Sequence, residues 1–165
     1  MKFFSRTDIT DCEGRPYLTR WHLFRFGEQA ALMLHRFHCS DEDRALHDHP
    51  WPFITLILRG GYIEYAERTT LCRDCNDRFF GFLPKGLRPL PCYCGGKGFF
   101  TYVEQKRKWP GMLLYRPATW RHRVELIEGR SCWTLVLRLK RFREWGFWTK
   151  EGFVHWQKWW RSNCE

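Results

Sequence analysis

Fifteen residues, HDHPWPFITLILRGG at positions 47–61, constrain this chain more than any other stretch. Two histidines one residue apart lead into an apolar run that a Gly-Gly pair ends, and in a strand residues i and i+2 share a face. Both imidazoles can therefore reach one metal ion. The segment PATWRHRV at positions 117–124 offers a third, His122, at the head of another apolar-rich run. His47, His49 and His122 are the expected ligands of a metal site inside a small β-barrel.

The remaining segments read mostly as strands. YLTRWHLFRF (17–26) partly alternates and is broken by Gly27-Glu28, while ALMLHRFH (31–38) puts Met33, His35 and Phe37 on one face. His35 is thereby a candidate pocket residue, with a hydrogen-bonded core histidine as the plainer reading. Residues 53–58 turn at Gly60-Gly61 and return as YIEYAER, a hairpin whose second strand carries Tyr62 and Glu64 on one face. If that face looks inward, Glu64 is a candidate general acid or base with Tyr62 beside it. A solvent-facing Glu in an alternating strand is the alternative. Trp51, between Pro50 and Pro52, can wall the mouth of the site.

RFFGFL, GFFTYVE, MLLYRP, HRVELI and residues 131–140 add further strand candidates, and no segment keeps a helical period. Residues 1–16 read as a polar arm or edge piece. The tail FREWGFWTKEGFVHWQKWW is too aromatic for disorder and predicts a strand-turn-helix cover over the barrel.

A chain of 165 residues suffices for one domain with a sizeable core. No run approaches the ~20 apolar residues of a membrane span and nothing resembles a signal peptide, so no membrane association and a cytoplasmic location are expected. In that compartment most of the eight cysteines would be reduced or metal-bound. The net charge of +10 is uneven: residues 66–116 hold ten basic and four acidic side chains, whereas residues 1–65 hold eight and nine. Basic residues among aromatics, such as the run Lys106-Arg107-Lys108-Trp109, admit nucleic acid or an acidic partner; a solvated surface is the bland alternative.

Cys72-x2-Cys75 and, after sixteen intervening residues, Cys92-x-Cys94 supply two close thiol pairs. Tetrahedral zinc takes four thiolates at about 2.3 Å, so these four are the expected ligands of a structural zinc in a cysteine-rich insertion at about 69–110. Cys12, Cys39, Cys132 and Cys164 lack such spacing and read as ordinary small side chains.

His47-Asp48-His49 with Gly60, and Pro117-Ala118-Thr119-Trp120-Arg121-His122, together resemble the two histidine motifs of the cupin superfamily over residues 17–140. Thr119 stands where the second motif usually has Gly. The carboxylate ligand of the first motif would fall at Phe53 or Ile54, both apolar. The resemblance implies an all-β fold, a single cupin-type antiparallel barrel or jelly roll over residues 1–165, and pairing through sheets as a homodimer. It also implies a divalent ion (Fe, Zn, Mn or Ni) on three histidines with an open position for water, substrate or dioxygen. A metal-dependent enzyme acting on a small molecule or modified nucleotide follows, with oxygenase, isomerase and hydrolase chemistry all open. The alternative is a non-catalytic module that holds nucleic acid or an acidic partner by its basic insertion and tail.

Overall fold

The computed structural model describes residues 2–41, 45–72, 94, 95 and 97–164. Their architecture is two six-stranded antiparallel sheets. The first has the order β1 (Lys2–Thr10), β2 (Pro16–Phe26), β3 (Ala30–Phe37), β10 (Cys132–Arg138), β5 (Phe53–Arg59) and β8 (Leu113–Arg116). In the second, β12 (Gly152–His155), β11 (Gly146–Thr149), β4 (Leu46–His47), β9 (His122–Leu126), β6 (Tyr62–Leu71) and β7 (Phe99–Lys108) lie side by side. The helix α1 (Trp156–Cys164) follows β12.

The strands form where the side chains alternate. Phe53, Thr55 and Ile57 on β5, His122, Val124 and Leu126 on β9, and Cys132, Thr134 and Val136 on β10 are all buried, and the residues between them are less so. That period of two gives each sheet one inward face. The core joins the two faces. Ile57 and Cys132 of the first sheet pack with Tyr62, Val124 and Leu126 of the second, and a neighbouring cluster holds Ala31, Met33, Phe53 and Val136. Full burial of one such aliphatic side chain contributes about 1.5–3 kcal/mol.

The β5–β6 turn needs its two glycines. Gly60 (φ +82°) and Gly61 (φ +148°) adopt conformations that L side chains rarely take, and a Cβ would lie 2.6 Å from the Ser131 carbonyl oxygen at Gly60 and 2.7 Å from that of Lys108 at Gly61.

Several expectations change in detail. The all-β jelly roll is as expected, but it is an open sandwich and not a closed barrel, because each sheet ends in edge strands. The polar residues at the start form a nine-residue edge strand, β1, paired with β2. The tail is a strand, a turn, a second strand and a helix. Cys12 is disulfide-bonded, not an ordinary small side chain, whereas the Cys72 and Cys132 thiols are free.

The chain divides into two compact units, Met1–Ala66 with Gln105–Glu165, and Glu67–Glu104. Within the smaller, Arg68 Nε donates to Glu104 Oε2 at 2.9 Å and the Cys72 N–H to the Gly98 carbonyl at 2.9 Å. Cys72 and Cys94 are buried there. Cys75 and Cys92, the segment RFFGFL and the basic residues Arg73, Arg78, Lys85 and Arg88 of the insertion lie outside the described residues.

Candidate metal centre

Two strands and one loop carry the histidines. His47 ends the two-residue strand β4, where it pairs in register with His122 at the start of β9 and with Phe147 on β11. His49 lies just past the ladder, its N–H donating to the Ala118 carbonyl at 3.0 Å. The Pro50 and Pro52 positions that follow fit this exit from the sheet, since neither has an amide to donate. The ring centroids are 5.2 Å apart for His47 and His49, 5.0 Å for His47 and His122, and 5.1 Å for His49 and His122. One ring nitrogen from each lies within 4.8 Å of the other two, and the Nε2 atoms of His49 and His122 are 2.8 Å apart.

A buried carboxylate sets the tautomer of His122. Glu64, 2% exposed, lies with Oε1 3.0 Å from His122 Nδ1. The same carboxylate accepts from Arg116 through Nε at 2.8 Å and a terminal nitrogen at 2.5 Å, and from Trp120 Nε1 at 3.2 Å; Lys108 Nζ is 3.5 Å away. Burial pushes the Glu64 carboxyl up, but the bonds from His122 and Arg116 outweigh it and hold the group far below the ordinary carboxylate range. An ionised Glu64 accepts a hydrogen bond from His122 Nδ1, which turns the Nε2 side of the ring toward the other two histidines.

The other two rings are held neutral by burial. Burial pushes His47 down to about 4, with the nearby His122 adding to it against the opposing Asp41, and burial also drives His49 far below the usual histidine range. Asp41 Oδ2 is 3.8 Å from His47 Nδ1, and Asp41 itself accepts from the Val124 N–H and the Tyr17 hydroxyl. Where the cupin motif would place a carboxylate, the Phe53 ring meets His49 edge-on at 4.7 Å.

This donor set fits a divalent ion. Ligation through nitrogens at about 2.0–2.1 Å requires them to converge to within roughly 4 Å of each other. Three imidazoles already gathered within 4.8 Å, one with its second nitrogen tied to a carboxylate, need only small side-chain shifts to meet that demand.

The cluster opens on a cavity of about 540 Å³. His35, Trp51 and Tyr62 all line it; Glu64 does not, because it stands behind His122 in the Arg116 network. The tail lines it too, as two stacked pairs: Trp145 on Trp156 at 5.8 Å and Phe147 on Trp159 at 4.7 Å.

Two features escaped the sequence reading. Asp48, 1% exposed, points away from the histidines that flank it, as the strand period requires. It accepts from the Gly146 N–H at 2.9 Å and Trp148 Nε1 at 3.1 Å and pairs with Arg143 at 2.9 Å, so it clasps the tail to the site. Lys108, expected among exposed basic residues, is 8% exposed and turned toward Glu64. Lys106 and Arg107 of the same run are exposed.

No protein-family model matches the chain, and no curated protein is similar to it in sequence. Solved structures are similar in fold. A cupin-2 domain protein of Rhodospirillum rubrum, Rru_A2000, superposes with a TM-score of 0.54 at 13% identity over 90% of this chain and 78% of its own. The iron(II) form of HppE gives 0.53 at 9% identity over 82% of this chain, which spans 56% of HppE's length. The 7S globulin of Momordica charantia gives 0.52 at 10% identity, over 88% of this chain and 36% of its own. The fold is thus a cupin-type jelly roll, and it carries a three-histidine cluster. No helix among the described residues is long and apolar enough to cross a membrane.

Proposed function

We propose that the chain is a metal-dependent enzyme that binds a small molecule in the cavity against an ion held by His47, His49 and His122. The single observation that carries this reading is the convergence of three ring nitrogens within 4.8 Å at the wall of a 540 Å³ cavity. A cavity of that volume suits a ligand of metabolite size. The presence of iron(II) in HppE supports iron as the resident metal. Such an ion, held by neutral ligands and open on the cavity side, polarises a substrate oxygen or lowers the pKa of bound water.

The protein's own residues do the rest. Glu64 positions His122 by bonding its Nδ1, a positioning role in place of general acid-base work. Trp51 and the tail aromatics keep bulk water from the bound molecule, and Tyr62 contributes to the same wall.

A second, structural metal is proposed at Cys72, Cys75, Cys92 and Cys94. It is supported by the buried Cys94, whose Sγ accepts the Gly98 N–H at 3.3 Å, the kind of bond that thiolate ligands take from a surrounding turn.

Elemental analysis tests both sites. Protein purified without chelators is expected to hold two metal equivalents, one lost in H122A and in the H47A/H49A double variant, the other in C72A/C75A. Unchanged metal content in H122A would remove the histidine site from this reading.

A further inference from the structure

The wall of the cavity opposite the histidine strands is built by the first sheet, and one row of it is polar. Arg20 on β2 stands in register with His35 on β3, and His35 in register with Thr134 on β10. All three line the cavity. Cross-strand neighbours in register are the closest side-chain pairs a sheet offers. Arg20 Nε donates to His35 Nε2 at 3.1 Å, which occupies one of its five N–H groups.

Of the groups whose charge acts on this guanidinium, only the Tyr17 hydroxyl favours it. Among the described residues no carboxylate lies at ion-pairing distance from Arg20, and the other guanidiniums that act on it, those of Arg138 and Arg25, share its sign. The two carboxylates that line the cavity are engaged elsewhere. Asp11 accepts from the Arg15 amide and side chain, and Asp41 from the Val124 N–H and the Tyr17 hydroxyl. At the far end of the row Thr134, 0% exposed, has an Oγ1 with no partner. A half-buried cation without a counter-ion is costly to leave unmatched, and this one lines the cavity where a ligand would meet it. Arg20 is also close enough for its charge to act on His49, so the row and the histidine cluster belong to one site.

We propose that this row is an anchoring subsite for an oxyanion, a carboxylate or a phosphate, carried by a substrate whose remaining body is apolar or aromatic. The guanidinium fork pairs with two oxygens of such a group, a geometry an ammonium cannot reproduce. The tryptophans and phenylalanines of the tail take the apolar body. The anionic end then rests on the first sheet while the other end faces the histidines of the second. This deepens the proposed function and rests on the cavity being the substrate site.

Calorimetric titration with three probes of one shape tests it: 1-naphthoate, 1-naphthyl phosphate and the neutral 1-naphthamide. At least one anion is expected to bind the wild-type protein about tenfold or more tightly than the amide, as charge-assisted bonds in a partly desolvated site imply. Whichever anion binds better identifies the oxyanion. In R20Q and in R20M that preference is expected to fall to within about twofold, with the amide's own affinity unchanged, whereas H122A retains it. A merely structural Arg20 would weaken all three probes alike. Absence of anion binding, equal affinity for anions and amide in the wild type, or a preference that survives R20Q and R20M would overturn the proposal. So would a preference lost in H122A and kept in R20Q, which would put the anion on the metal. If H122A leaves metal content unchanged while R20Q abolishes the preference, the metal reading fails and the oxyanion subsite stands.

Discussion

The two walls of the cavity treat their polar groups in opposite ways. On the second sheet Glu64 is bonded to His122, Arg116 and Trp120 and has Lys108 close by, and next to His47 and His49 the Asp48 carboxylate is bound to Gly146, Trp148 and Arg143. On the first sheet, among the described residues, the Arg20 guanidinium has no carboxylate partner and the Thr134 hydroxyl no hydrogen bond. A saturated network fixes a geometry before any ligand arrives, while an unsaturated row supplies groups for a ligand to complete. The difference suggests which wall is built to hold an ion and which to receive a substrate.

Breaking the saturated wall carries the largest expected effect. Glu64→Leu strands Arg116 and Lys108 as buried cations, so a loss of about 3–5 kcal/mol is expected in urea denaturation. The isosteric Glu64→Gln keeps the shape and relaxes the His122 tautomer, and a 10–100-fold loss of metal affinity in chelator competition checks that role.

Acid attacks the same wall. An unfolded chain protonates His47 near pH 6.5, whereas burial keeps the folded residue neutral down to about 4. Between those values the unfolded state binds more protons, so stability is complete above the window and falls as pH drops through it. Thermal melts of chelator-treated protein should show a loss of about 3 kcal/mol from this residue by pH 4. A flat profile would mean that His47 is hydrated.

Asp48→Asn keeps one acceptor for the tail and removes the charge facing Arg143. A cost of about 2 kcal/mol is expected, together with a weakened near-ultraviolet dichroism signal from the Trp145–Trp156 stack. The smallest effect belongs to the other wall and has the opposite sign. Thr134→Val replaces an unpaired buried hydroxyl by a methyl group, and a gain of about 1 kcal/mol in urea denaturation is expected. A loss there would mean that the hydroxyl is already paired and the contrast between the walls is false.

The histidine cluster was legible in the sequence because the His47-x-His49 pair and His122 each stand beside a strand signal that is local, although His49 itself lies just past the strand. The hairpin at Gly60-Gly61 was legible for the same reason, as were the first strand and the helix of the tail, whereas its second strand β12 was not expected. Other features depend on which elements meet across the sandwich. Alternation put Tyr62 and Glu64 on one face but does not reveal that Arg116, fifty-two residues away, would neutralise Glu64. Arg20 reads as one more base in an aromatic strand until His35 and Thr134 are aligned beside it by β3 and β10. Lys108 counted as surface charge because composition assigns lysine to solvent, and only the buried carboxylate explains its position. The disulfide of Cys12 likewise depends on a tertiary contact that no spacing encodes.

Anomalous diffraction from crystals of the protein purified with its own metal, recorded on both sides of that metal's absorption edge, is the most direct test of the three-histidine centre. The expected result is a peak about 2.0–2.2 Å from a ring nitrogen of each of His47, His49 and His122, with Glu64 still bonded to the Nδ1 of His122. A metal-bearing protein with no peak among those three rings would contradict it.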